Sequence, residues 1–114
     1  MLSMTTGGHG DVLGRLRNQA EKDLLRITLH GHQAMVEESV SYADMRHVLM
    51  AGEIIENYPD HQRGACCLVN GMDAGRKRFL HVCCTTEREI VIIITIYEPK
   101  SPKWVTPTMR RKKQ

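Results

Sequence analysis

Two histidines fall where extended segments would present them. His30 closes the alternating run Arg26-Ile-Thr-Leu-His30, and His81 sits within Arg78 to Cys84, on the face shared by Phe79 and Cys83. Tyr97 ends the apolar run Ile90 to Tyr97. Arg63, Arg76 and Arg78 lie near strand ends, and Lys103, Arg110 and Arg111 follow Tyr97. Cutting RNA without a metal needs a base for the 2′-hydroxyl, an acid for the leaving oxygen, and cations against the charge that develops on phosphorus. An imidazole near its ordinary pKa of about 6.5 suits proton transfer at neutral pH. His81, His30, Tyr97 and Arg76 are therefore the candidate catalytic set. Arg63, Arg78, Lys103, Arg110 and Arg111 are the candidate phosphate-binding set. Each has a structural alternative: a histidine in an apolar strand is more often a hydrogen-bonded core group, Tyr97 suits a core edge, and Arg76-Lys-Arg78 suits a solvated turn.

The four cysteines form two vicinal pairs, Cys66-Cys67 and Cys83-Cys84. Neighbours on a strand point to opposite faces, so each pair offers one sulfur per face. Joined by His30 and His32 they would make a Cys2His2 zinc shell, but the spacing matches no zinc knuckle. The expectation is free thiols, no metal and no cofactor. Cys83 with His81 two positions earlier could contact as nucleophile and base, yet nothing in the sequence supplies an oxyanion hole.

Positioning these groups falls to a run of helices followed by a run of strands. Asp11 can cap a helix carrying Val12, Leu13, Leu16 and Ala20 at helical spacing. A short strand follows over Arg26 to His30, then a short helix over Gly31 to Glu38. Ser41-Tyr-Ala-Asp44 opens a capping-box helix with Met45, Val48 and Leu49 on one side, stopping near Gly52. After Gly52 the period turns extended: Ile54 to Tyr58, Ala65 to Val69, a turn over Asn70 to Gly75, Arg78 to Cys84, and Ile90 to Tyr97. The last is apolar on both faces and reads as a central strand, with Ile90, Ile92, Ile94 and Ile96 on one side. Short connections favour antiparallel pairing. The fold class is α+β: an N-terminal helix, a short strand, two helices and a mostly antiparallel sheet of about four strands.

The chain has 114 residues, with 41% hydrophobic, 25% charged and only 4% aromatic residues, so its core rests on Ile, Val, Leu and Met. The longest apolar run, Ile90 to Ile94, is far shorter than a membrane span. Met1 to Gly10 reads as a flexible lead without the pattern of a secretory signal, giving a cytoplasmic expectation. Residues 11–104 read as one domain and 105–114 as a basic tail. The net charge of +3 is unevenly spread: residues 1–98 hold ten Lys/Arg against thirteen Asp/Glu, and Pro99 to Gln114 holds six bases and no acid. Such an end attracts phosphates, or serves only to solubilise. Trp104, the single tryptophan, should anchor this end on the body.

Gly52-Glu-Ile-Ile-Glu56 with Tyr58-Pro59, Leu80-His81-Val82, and Tyr97-Glu98-Pro99 with Lys103-Trp104 together resemble the bacterial domain-of-unknown-function family numbered 4258, over about residues 11–111. The commoner pattern of that family after His30 is H-A-x-x-R-M-x-E-R. Here Gly31, Ala34 and Glu38 replace its alanine and two arginines, while Met35 and Glu37 match. The element order is similar to that of RelE-like and BrnT-like toxins, which are small ribonucleases, and family members often neighbour antitoxin-like proteins. The resemblance implies RNA or the ribosome, and an antitoxin-like protein, as partners. The alternatives are a non-catalytic module that binds protein or nucleic acid, and a small zinc-binding domain.

Overall fold

The computed structural model describes residues 9–100 and 103–111. The expected lead lies mostly outside them, as do Pro102, Lys112 and Lys113. In chain order the elements are α1 (His9–Glu21), β1 (Leu25–Ile27), α2 (Leu29–Glu38), α3 (Tyr42–Ala51), β2 (Glu53–Tyr58), β3 (Cys66–Met72), β4 (Phe79–Thr85), β5 (Val91–Tyr97), β6 (Trp104–Thr106) and β7 (Met109–Arg110). The α+β class holds. Five strands form one sheet in the order β1-β5-β4-β3-β2, and β6-β7 form a separate two-stranded hairpin. The four strands after the helices are antiparallel; β1 joins β5 in parallel. A parallel partner is possible because α2 and the long excursion through β4 separate β1 from β5.

Local chemistry sets the boundaries. The expected strand over Arg26 to His30 stops at Ile27, because the Thr28 hydroxyl accepts the Gly31 N–H at 2.9 Å and caps α2. His30 therefore lies in the first turn of a helix, exposed, and not at a strand end. Ser39 ends α2 in the left-handed region at φ 56°. The capping box at the start of α3 is complete, with Ser41 and Asp44 exchanging bonds of 3.0 Å.

Gly52 does follow α3, but with φ −87° it is not a left-handed cap. Its requirement is space: a Cβ there would stand 2.5 Å from the Asn70 carbonyl oxygen and 2.6 Å from that of Val48. Gly71 is similarly pinned: a Cβ there would stand 3.0 Å from the Gly52 Cα. Consequently Asn70 and Gly71 belong to β3 and not to the expected turn, which is confined to the loop that follows Met72. There glycine serves close packing between helix and strand.

The main core lies between the helices and one sheet face. It gathers Leu16 and Ala20 of α1, Met35 of α2 and Met45, Val48 and Leu49 of α3 against Cys67, Val69, Leu80, Val82, Cys84, Val91, Ile93 and Ile96. A bulge changes the register of β5. Cys83 pairs with Thr95 but Cys84 pairs with Ile93, so Ile94 is the extra residue. Ile96 thereby joins Val91 and Ile93 in the main core, while Ile94 turns to the other face. The expected alternation through Ile96 is corrected at that point, and Ile90 lies outside the strand, exposed. β5 is an interior strand; the middle one is β4. No helix among the described residues is long and apolar enough to cross a membrane.

Candidate functional site

The second sheet face carries the polar residues. Register aligns Glu53, Asn70, His81 and Tyr97 in one row across β2, β3, β4 and β5, and Glu56, Leu68, Cys83 and Thr95 in the next. The hairpin β6-β7 covers these rows. Trp104 is 3% exposed, in a cluster with Cys66, Leu68 and Cys83 that also packs on Ile55, Tyr58, Ile94 and Tyr97. The basic end is thus anchored by Trp104. It is not a free tail throughout, because β7 extends to Arg110 and the Arg111 N–H donates to Lys103 O at 2.9 Å.

His81 is completely buried, a full core position for a polar ring. Its Nε2 lies 2.6 Å from Pro107 O and its Nδ1 3.3 Å from the Tyr97 hydroxyl. A carbonyl only accepts, so Nε2 carries the proton and Nδ1 accepts from Tyr97. The Trp104 ring stands edge-on to the imidazole, centroids 4.4 Å apart. Burial pushes the His81 pKa below its ordinary value, partly offset by the Pro107 contact and by Glu56. The neutral ring follows from both the geometry and the electrostatics.

Glu56 and Arg110 form the rim. Arg110 Nε and Nη2 donate to the two Glu56 oxygens at 2.6 and 2.9 Å, a bidentate pair. The Arg110 guanidinium also lies over the Trp104 ring, 4.6 Å from its centroid. Tyr58 donates its hydroxyl hydrogen bond to Glu56. Arg110 and Tyr58 together hold the Glu56 carboxyl below its ordinary range against the opposing effect of burial. Burial, and then the Glu56 carboxylate, push the Tyr58 phenol up; Tyr97 is raised by burial. Among the described residues, Asn70 Oδ1 and Trp104 Nε1 are buried without a hydrogen-bond partner.

Of the residues expected to do chemistry, the fold gathers His81, Tyr97 and Arg110. His30 does not join them. It is on α2, which packs against the opposite sheet face, and shares a cleft of about 180 Å³ with Glu37, Glu38 and one side of Tyr97. Arg76 lies in the turn between β3 and β4, at φ 57°. Arg63 precedes β3 and Arg76 follows it, so about 20 Å of strand separates them. Arg78 is a structural clamp: it bonds Glu38 O at 2.7 Å, Ser39 O at 2.8 Å and Glu98 at 3.3 Å, and pairs with Asp73. Lys103, Arg111 and Arg63 are exposed. Residues missed from sequence are Glu56, Tyr58 and Asn70. Glu56 and Tyr58 were legible as part of Gly52-Glu-Ile-Ile-Glu56 with Tyr58, whereas the bulge that brings Ile55 and Glu56 onto one face was not.

The described residues do not assemble the Cys2His2 shell. Cys66 and Cys83 face the hairpin and Cys67 and Cys84 face the core, with His30 and His32 on α2. Among the described residues no three His, Cys, Asp or Glu side chains converge to hold an ion. All four cysteines are buried free thiols. Burial raises Cys83 to about 12, which keeps it a thiol and removes it as a nucleophile paired with His81.

The family model for a domain of unknown function, DUF4258, matches residues 27–98, which span α2, α3 and β2 through β5. This chain belongs to the DUF4258 family. The match includes Glu56, Asn70, His81 and Tyr97, and ends before Trp104 and Arg110. No curated protein and no solved structure matches the chain.

Proposed function

We propose that this DUF4258 domain acts on single-stranded RNA, free or on the ribosome, through the face of Glu56, His81, Tyr97 and Arg110, as a RelE-like toxin-type protein with metal-independent cleavage. The observation that carries the reading is the convergence of a carboxylate, an imidazole, a phenol and a guanidinium from four strands on one face. Their chemistry divides into roles. Glu56 takes the 2′-hydroxyl proton, Arg110 balances the charge on phosphorus, and His81 passes its Nε2 proton to the leaving oxygen as Nδ1 takes the Tyr97 hydroxyl proton. Pro107 holds His81 Nε2, so the described arrangement is a resting one and the hairpin lifts for His81 to reach substrate. An antitoxin-like protein would be the partner that holds the domain in check.

One observation favours a second reading, a non-catalytic binding module: both His81 nitrogens and the Arg110 fork are already engaged within the protein. A cleavage assay on end-labelled single-stranded RNA, with chelator present, separates the two. The first reading expects cutting by the intact protein, lost in Glu56→Gln and in His81→Gln while filter binding persists. Binding without cutting in the intact protein leaves the module, and absence of binding at low salt removes both RNA readings.

A further inference from the structure

A groove adjoins the candidate site at the corner where α1, α3 and the β3-β4 turn meet. It encloses about 520 Å³, within the range of small-molecule sites. Arg17, His47, Arg76 and Phe79 line it, over a floor that includes Gly52 and Gly71. Continuity with the His81 face is set by register. Asn70 pairs with His81 and also borders the groove, and Phe79 lies two residues before His81 on the same face of β4.

Its groups are positioned before any ligand arrives. Arg17 Nη2 donates to Gly52 O at 3.1 Å, and His47 Nδ1 lies 2.8 Å from Met72 O. That carbonyl fixes the proton on Nδ1 and leaves Nε2 for a ligand. Arg76 is exposed in a turn held by Asp73, whose Oδ1 accepts the Lys77 N–H at 2.7 Å. Phe79 is 39% exposed, an aromatic ring presented at the end of a strand. Gly52 and Gly71 present only backbone to the groove. Glu53 on the border supplies a carboxylate acceptor.

We infer that this groove is a nucleotide subsite: Phe79 stacks on a base, Arg17 and Arg76 hold a phosphate, and Glu53 accepts from ribose hydroxyls. An aromatic ring and two guanidinium groups lining one groove match the two halves of a nucleotide, and a carboxylate on the border matches its sugar. The inference deepens the RNA reading, placing there a nucleotide next to the one bound at the His81 face.

The test is an NMR titration of the whole chain with adenosine 5′-monophosphate, adenosine and inorganic phosphate separately. The expected result is saturable shifts of the Gly52, Gly71 and Phe79 amides with the mononucleotide, at lower concentration than with either half. Phe79→Ala and Arg76→Gln each weaken it roughly tenfold or more. Absence of those shifts, or equal affinity in Phe79→Ala, overturns the subsite. Equal affinity for adenosine overturns the phosphate contact. If the mononucleotide binds but single-stranded RNA is neither bound nor cut, the RNA reading falls and the groove stands. If RNA is cut and the mononucleotide leaves the groove amides unmoved, the groove alone falls.

Discussion

His81 shows how a single side chain can link stability to a candidate chemistry. Its ring is sealed, neutral, and bonded at both nitrogens, with burial holding its pKa below about 6.5. In the unfolded chain the same ring protonates as pH falls through that value, while the folded ring does not. Stability is therefore lost as pH drops from about 6.5 toward the depressed folded pKa. Urea midpoints at pH 7.5 and 5.5 should differ more in the wild type than in His81→Gln, and equal differences would assign the pH effect to other groups. A second comparison belongs to β5. Ile93 is fully buried in the main core and Ile94 only partly buried under the hairpin. Ile93→Ala should cost about 2–5 kcal/mol in urea unfolding and Ile94→Ala distinctly less. The reverse order would deny the bulge. Sequence alternation could not show that bulge, since an unbroken apolar run carries no phase mark.

At the scale of elements, the hairpin and the close approach of Gly52 to β3 decide what the second face can be. The helices and strands were legible from Ser41 with Asp44, from Met45, Val48 and Leu49, and from the Val/Ile runs, because local propensity and burial agreed there. His30 was misplaced because Thr28, a good strand residue, is also a helix cap, and only the bond to Gly31 chooses between them. The hairpin was hidden for a different reason. Trp104 signalled an anchor, but three prolines and a cluster of bases gave no ladder pattern, and its strands are two and three residues long. Gly52 offers a direct test of how α3 sits on β3. Gly52→Ala places a methyl against two backbone oxygens that cannot rotate away, and should cost roughly 1–3 kcal/mol by urea unfolding. A neutral result would mean that α3 and β3 can separate at no cost.

For the molecule as a whole, the question is where positive charge remains available. Residues 1–98 carry a net −3, and the six bases after them reverse the sign. They are not equivalent. The Arg110 charge is matched by Glu56 at 2.6 Å and its fork is filled, whereas Lys103 and Arg111 stand exposed. Each phosphate neutralised on single-stranded RNA adds about 0.7 to the slope of log affinity against log salt concentration. Removing residues 112–114 keeps Arg110 and the Arg111 bond to Lys103 while deleting two basic residues. That truncation should flatten the slope by about 0.7 for each phosphate that the shortened chain leaves unneutralised. On the cleavage reading Arg110 meets the phosphate, so Arg110→Gln should flatten the slope by about 0.7 as well, and it should lower stability by about 1 kcal/mol or less, as expected for an ion pair at the surface. Filter binding at several salt concentrations reads the first effect and urea unfolding the second. If Arg110→Gln flattens the slope as much as one of the other bases does, Arg110 leaves Glu56 when RNA binds. In that case Glu56 is freed as a base in the same event that brings the phosphate to the face.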